Sequence, residues 1–165
     1  MYGHLIPLAR EAIVEKLRGM PLPCAGEGMP AQACFVSLKL NGRLRGCIGT
    51  LRPSQPSLEA EVQANAVAAA TRDPRFMPVK PADVGGLRVS IDVLSSGEPV
   101  DDMRLLNPVR YGLIVRSGPR CGVLLPDIKG VETVEQQVQI CLEKAGIRPG
   151  QSFSMERFVV ERVEE

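Results

Sequence analysis

The sequence predicts an α+β fold built on antiparallel sheet, and three observations predict it. Strand-like runs are joined by turn residues, Asn41-Gly42 and Ser117-Gly118-Pro119-Arg120, and not by helices. Leu87 to Leu94 alternates strictly: Leu87, Val89, Ile91 and Val93 on one face, Arg88, Ser90 and Asp92 on the other. That is the mark of a sheet covered on one side. Segments of helical period fall irregularly between the strand runs, which argues against a regular strand–helix–strand order. At 165 residues the chain is long enough to bury a real core and reads as one domain over 1–165.

The first element is a helix. Leu5, Leu8, Ala12, Ile13 and Leu17 recur at helical spacing among Arg10, Glu11, Glu15 and Lys16, and Gly19 with Pro21 stops the run. The apolar stripe is a core face. Pro21 to Pro30 holds three prolines and two glycines and reads as a surface loop. Its Gly26-x-Gly28 follows no strand and opens no apolar helix, so it is no phosphate-binding motif.

Ala33 to Leu40 and Arg43 to Leu51 read as two strands around Asn41-Gly42. A two-residue turn pairs Leu40 with Arg43 and puts Val36 and Leu38 on the face of Arg45 and Cys47. A three-residue loop with Gly42 left-handed pairs Lys39 with Arg43 and Phe35 with Cys47. The second register gathers Cys34, Val36, Leu38, Leu44 and Ile48 on one face. Phe35, Ser37, Lys39, Arg43, Arg45 and Cys47 take the other. Because a one-residue slip flips side chains between faces, this apolar segregation favours the three-residue loop.

Ser57 is an N-cap for a helix running to about Arg72, with Leu58, Val62, Ala66 and Ala69 on its inward side. Asn65 shares that arc, as a core amide in the first instance and a ligand contact in the second. Asp73-Pro74 ends the helix, since the residue before proline avoids the helical region. Beyond the Leu87–Leu94 strand lies a turn-rich stretch, Ser95-Ser96-Gly97-Glu98-Pro99. Tyr111 to Arg116 and Cys121 to Leu125 form a second hairpin. Val131 to Ala145 repeats at helical spacing with Gly146 as C-cap, and Met155 to Val163 closes the domain as a last strand.

Composition narrows function. The net charge of +1 and scattered basic residues call for neither a polyanionic partner nor a membrane surface. With two Tyr and four Phe there are few stacking platforms, so nucleic-acid binding ranks last among the readings. Five widely spaced cysteines without a C-x-x-C, and no signal peptide or long apolar run, point to reduced thiols in a cytoplasmic protein. His4 is the sole histidine and lies far from any cysteine cluster; no metal and no cofactor are implied.

One stretch has no packing reason for its composition: Leu44-Arg45-Gly46-Cys47-Ile48-Gly49-Thr50-Leu51. A guanidinium near a thiol stabilises the thiolate. Arg45 and Cys47 are two residues apart on one strand, roughly 7 Å along the backbone. Gly46 and Gly49 remove side chains where a ligand or another segment approaches. Ser37, Lys39 and Arg43 share the face, completing a small cationic pocket with a nucleophile, suited to an anionic or carbonyl-bearing small molecule. Against this, cysteine is among the most buried residue types and no base is visible for a nucleophile. Asp73 and Arg75, in Thr71-Arg72-Asp73-Pro74-Arg75-Phe76, form a structural ion pair or face Cys47 as base, orienting group or anion clamp. Cys34, Cys121 and Cys141 read as small core residues, and Cys24 as a loop residue.

Leu44 to Leu51 and Asp73-Pro74-Arg75-Phe76 resemble signatures of the AMMECR domain family. Tyr111-Gly112-Leu113-Ile114-Val115, Gly122-Val123-Leu124-Leu125-Pro126 and Lys144-Ala145-Gly146-Ile147 resemble its later blocks. The resemblance implies two unequal α+β lobes with an antiparallel sheet and a cleft between them. It implies a site set of Arg45, Gly46, Cys47, Gly49, Asp73 and Arg75. It also implies partners: a Memo-like protein and a radical S-adenosylmethionine protein, in the AmmeMemoRadiSam system. Two positions depart from the family pattern. The chain has no tryptophan near its final helix and last strand, and Tyr111 stands where the family often has histidine. The functional expectation is a Cys47-centred enzyme or enzyme component; the alternative is a non-catalytic binding or adaptor module.

Overall fold

A computed structural model describes residues 1–25 and 28–165. Its elements are α1 (Leu5–Leu17), β1 (Cys34–Leu40), β2 (Arg43–Gly49), α2 (Leu58–Thr71), β3 (Leu87–Leu94), β4 (Glu98–Val100), β5 (Gly112–Ser117), β6 (Arg120–Leu124), α3 (Val134–Ala145), β7 (Ser154–Phe158) and β8 (Val160–Glu164). Helices combine with two antiparallel four-stranded sheets, so the α+β class holds. Gly26 of the dismissed Gly26-x-Gly28 motif lies outside the described residues.

The chain forms two compact units, Met1–Leu94 with Glu161–Glu165, and Ser95–Val160. The first contains the sheet β2-β1-β3-β8 and both long helices. Cys34, Val36, Leu38, Leu87, Val89, Ile91 and Val93 point from this sheet into a core shared with Leu5, Ala9 and Ile13 of α1 and Leu58, Val62, Ala66 and Ala69 of α2. Helix α2 is buried almost all round, which is why alanines fill it and one apolar stripe does not describe it. Ser57 caps it as expected, its Oγ accepting the Ala60 N–H at 3.2 Å.

The second unit holds the sheet β4-β7-β5-β6 with α3 packed on it, around Leu113, Val115, Val138, Cys141 and Ile147. The helix expected from Val131 starts three residues later. Thr133 and Gln136 form a reciprocal capping box there. Gly146 adopts the left-handed C-cap, at φ +68°.

Three further expectations need correction. The single last strand is two strands, broken at Val159, whose N–H donates to Ser95 Oγ and whose carbonyl accepts the Ser95 N–H, each at 3.0 Å. The chain changes sheets at that residue, and periodicity cannot show such a switch. Glu98-Pro99-Val100 is a short edge strand, where proline is tolerated, and not part of a turn.

The third correction is the first hairpin. Asn41 and Gly42 both have positive φ, +52° and +75°, and form a two-residue turn that pairs Leu40 with Arg43. A bulge follows, so that Leu38 faces Gly46 while Lys39 faces Leu44, leaving Arg45 as the extra residue. Cys47 therefore pairs with Ser37, and Phe35 with Gly49. The segregation of Cys47 from Val36 and Leu38 survives, but through a bulge in the strand and not a longer loop. Leu44, expected in the core, is 40% exposed opposite Lys39.

Candidate functional site

β2 is an edge strand, so half of its backbone groups find no partner strand. Cys47 shows how two of them are satisfied. Its N–H donates to Asp73 Oδ2 at 2.9 Å, and its carbonyl accepts from Arg75 Nη2 at 3.4 Å. Both groups point away from β1, which makes Ser37 and Cys47 a non-hydrogen-bonded cross-strand pair, the kind whose side chains approach closest. Ser37 Oγ donates to Cys47 Sγ at 3.2 Å, and the thiol is half-buried.

Asp73 is 4% exposed and takes four hydrogen bonds: from the Cys47 N–H, the Arg75 N–H at 3.1 Å, Arg75 Nε at 3.1 Å and Arg75 Nη2 at 2.8 Å. The Arg75 side chain, helped by the two backbone N–H groups and opposed by burial, holds its carboxyl well below the usual carboxylate range. Such a carboxylate orients the strand and is poorly suited to accept a proton. Arg75 is held above its ordinary value by Asp73 first, and in small part by the Cys47 sulfur. Its guanidinium lies 5.4 Å from the Phe76 ring centroid and its side chain is 57% exposed.

Arg45 lies elsewhere in its bonding. As the bulge residue it donates to the carbonyls of Met77 and Pro78, the latter at 3.2 Å. The stretch 73–78 is thereby strapped along the open edge of β2. Arg75 supplies the guanidinium that the sequence assigned to Arg45. Arg43 pairs with Leu40, a residue packed on the core, and so leaves the face of Ser37 and Cys47. Asn65 is buried and donates to the Cys34 carbonyl at 3.0 Å, the core amide of the first reading.

Both glycines have packing reasons. A Cβ on Gly46 would strike the carbonyl of Ala69, where α2 crosses β2, and one on Gly49 would strike the Phe35 ring. The residue that sequence reasoning missed is Glu61. It is fully buried and accepts Thr50 Oγ1 at 2.6 Å, Ser54 N–H at 2.7 Å, Gln55 N–H at 2.8 Å and Ser54 Oγ at 3.0 Å. This fastens the loop that leaves the Cys47 strand. Its position one turn before Asn65, on the same arc of α2, was the available signal.

The remaining thiols separate by environment. Burial pushes Cys34 up to about 12 and Cys141 up to about 11. Cys121, expected in the core, is exposed, with Arg116 Nη1 at 3.5 Å from its sulfur. His4 bonds Glu59, at 3.0 Å. Among the described residues no three His, Cys, Asp or Glu side chains converge as a metal-ligand group, and no helix is long and apolar enough to cross a membrane.

An α+β protein with a half-buried thiol on an edge strand, braced by an Asp-Pro-Arg turn, is the class that fold and geometry define. The chain belongs to the AMMECR1 family, whose model matches residues 6–164. A Thermotoga maritima protein is 52% identical over 130 residues, covering 78% of this chain and 75% of the relative. A Methanothermobacter thermautotrophicus protein is 36% identical, covering 88% and 82%. A Clostridium acetobutylicum relative is 43% identical over 79% of this chain, which spans 28% of that longer protein. Among solved structures, an uncharacterized Pyrococcus horikoshii protein superposes with a TM-score of 0.89 at 29% identity, covering 99% of this chain and 90% of its own.

Proposed function

We propose that this AMMECR1-family protein is an enzyme, or enzyme component, that uses Cys47 as a nucleophile towards a small carbonyl-bearing or anionic molecule. The observation that carries this reading is the cross-strand pair of Ser37 and Cys47. A hydroxyl donates to the sulfur at 3.2 Å, while Asp73 and Arg75 fix the backbone that carries it. A hydroxyl on the sulfur and a guanidinium on the carbonyl of the same residue make polar, cationic surroundings for an incoming anion or carbonyl. In the simplest step the thiol proton passes to water and the sulfur bonds the carbonyl carbon. The π pair moves to oxygen, which takes a proton from water, giving a hemithioacetal with no further reactant. A Memo-like protein and a radical S-adenosylmethionine protein fit this reading as neighbours in one pathway, and the cytoplasm as its compartment.

The adaptor reading has its own support. The Asp73 carboxylate is fully engaged and the sole histidine bonds Glu59, so neither stands ready as a base for turnover. Alkylation by iodoacetamide at pH 6.5, followed by peptide mass spectrometry, separates the two. An enzyme requires Cys47 to react faster than exposed Cys24 and to slow in Arg75→Ala. Equal rates at the two thiols favour the adaptor.

A further inference from the structure

The core-distal face of the first sheet carries a second feature. Lys39 and Arg88 stand directly opposite each other in the β1–β3 ladder. Both are exposed, and neither donates a hydrogen bond or enters an ion pair among the described residues. Like charges directly opposite each other on a sheet disfavour the fold. Arg88 is partly offset by the Glu165 carboxylate, which it helps hold below its usual range, while Lys39 has no carboxylate at bonding distance among the described residues. The two cations line a depression of about 570 Å³ together with Val89, Ser90, Glu164 and Glu165. Glu165 is already committed, through Arg10 and the Val89 N–H. Glu164 is the remaining carboxylate on the rim, and it disfavours an extended polyanion.

The next row of the same face is Ser37 opposite Ser90, and Ser37 is the residue that touches Cys47 Sγ. Two residues along a strand separate the cation pair from that row by about 7 Å. We propose that Lys39 and Arg88 bind the anionic end, a carboxylate or a phosphate, of the molecule whose electrophilic carbon meets Cys47. Ser90 contributes a hydroxyl beside that anion. Cys47 lies one strand further across the sheet, beside Ser37, so the spacing defines the ligand class as a singly anionic compound with its reactive carbon about 8–10 Å from the charge. This rests on the nucleophilic reading of Cys47, but the anion site is testable without it.

A chemical ruler tests it on the full chain. ω-Iodoalkanoates carry a carboxylate at a set distance from the alkylating carbon, and their primary amides lack the charge. At low salt the eight-carbon acid is expected to alkylate Cys47 about tenfold faster than its amide. In Lys39→Ala and Arg88→Ala that ratio falls to about one. Both positions are exposed, so thermal unfolding of the variants should show no loss of stability. In Cys47→Ser, titration with inorganic phosphate and with acetate, followed by amide chemical shifts, reads the anion site alone. Shifts at Lys39, Arg88 and Ser90 with phosphate assign a phosphate end, and with acetate a carboxylate end. An inert Cys47 with anion binding intact overturns the nucleophile and spares the anion site. No shift with either anion, or an acid-to-amide ratio unmoved by both variants, overturns this proposal.

Discussion

Asp73 grips Cys47 by its backbone: Oδ2 accepts the Cys47 N–H at 2.9 Å while Arg75 closes over the same carboxylate. The pair does for the edge of β2 what a neighbouring strand would do. It satisfies outward groups of the edge and fixes the direction in which the thiol leaves the strand.

Replacing Asp73 by Asn keeps the shape and removes the charge that binds Arg75. Hydrogen bonds to charged groups contribute about 1.5–3 kcal/mol, and Asp73→Asn should lose stability in that range at pH 7. The sign with pH follows from the lowered carboxyl. Its contribution is present above the ordinary value of 3.8 and is lost as pH falls below it. Urea unfolding at pH 7 and pH 3 should therefore show a gap between wild type and variant that narrows in acid. An equal gap at both pH values would remove the charge from the explanation.

Gly46 lets α2 cross β2 at the Ala69 carbonyl. Gly46→Ala forces the helix or strand to shift, at a cost of about 1–3 kcal/mol. Gly85 meets nothing within 4 Å of an added Cβ and lacks a positive φ, so Gly85→Ala is the control and should not destabilise by a comparable amount. Thermal unfolding of the two variants makes the comparison, and similar losses would mean that close approach is not what Gly46 provides.

Glu61 anchors the loop after β2 from inside the fold. With Glu61→Gln, one of the carboxylate's acceptor oxygens becomes an amide nitrogen that cannot accept. Amide exchange at Ser54 and Gln55 should then rise by at least tenfold, the equivalent of about 1.4 kcal/mol. Exchange at Val89 and Ile91, in the central strand of the sheet, should not change comparably.

The class of the fold and most elements were legible because their signals are local. Strict alternation over Leu87 to Leu94 gave β3, and Ser57 and Gly146 gave two helix ends. The site was legible as a set of residues and less so as an arrangement. Ser37, Cys47, Asp73 and Arg75 do come together, but the guanidinium that bonds Cys47, through its carbonyl, is that of Arg75, because a bulge at Arg45 turns that side chain towards Met77 and Pro78. Bulges have no composition signature as plain as Asn-Gly, and segregation of apolar residues alone fits two registers. Glu61 was overlooked for a different reason: a carboxylate in the first turn of a helix reads as a dipole effect, which outweighs the hint of its place on the arc of Asn65, and tertiary packing is what makes it a buried anchor.

The five thiols give the last prediction. Cys34 and Cys141 are fully buried, and burial pushes them up to about 12 and about 11. At pH 8 both stay protonated and shielded, so iodoacetamide should leave them unmodified in the native protein. They should react only as denaturant unfolds the chain, with midpoints that follow the circular-dichroism transition. Cys24, Cys47 and Cys121 should be modified without denaturant. Removing Arg116, whose Nη1 is 3.5 Å from the Cys121 sulfur, should slow Cys121 alone, while Arg75→Ala slows Cys47 alone. Peptide mass spectrometry resolves all five in one experiment. Native modification of Cys34 would contradict its hydrogen bond with Asn65 inside the first core, and with it the packing of α2 on the sheet.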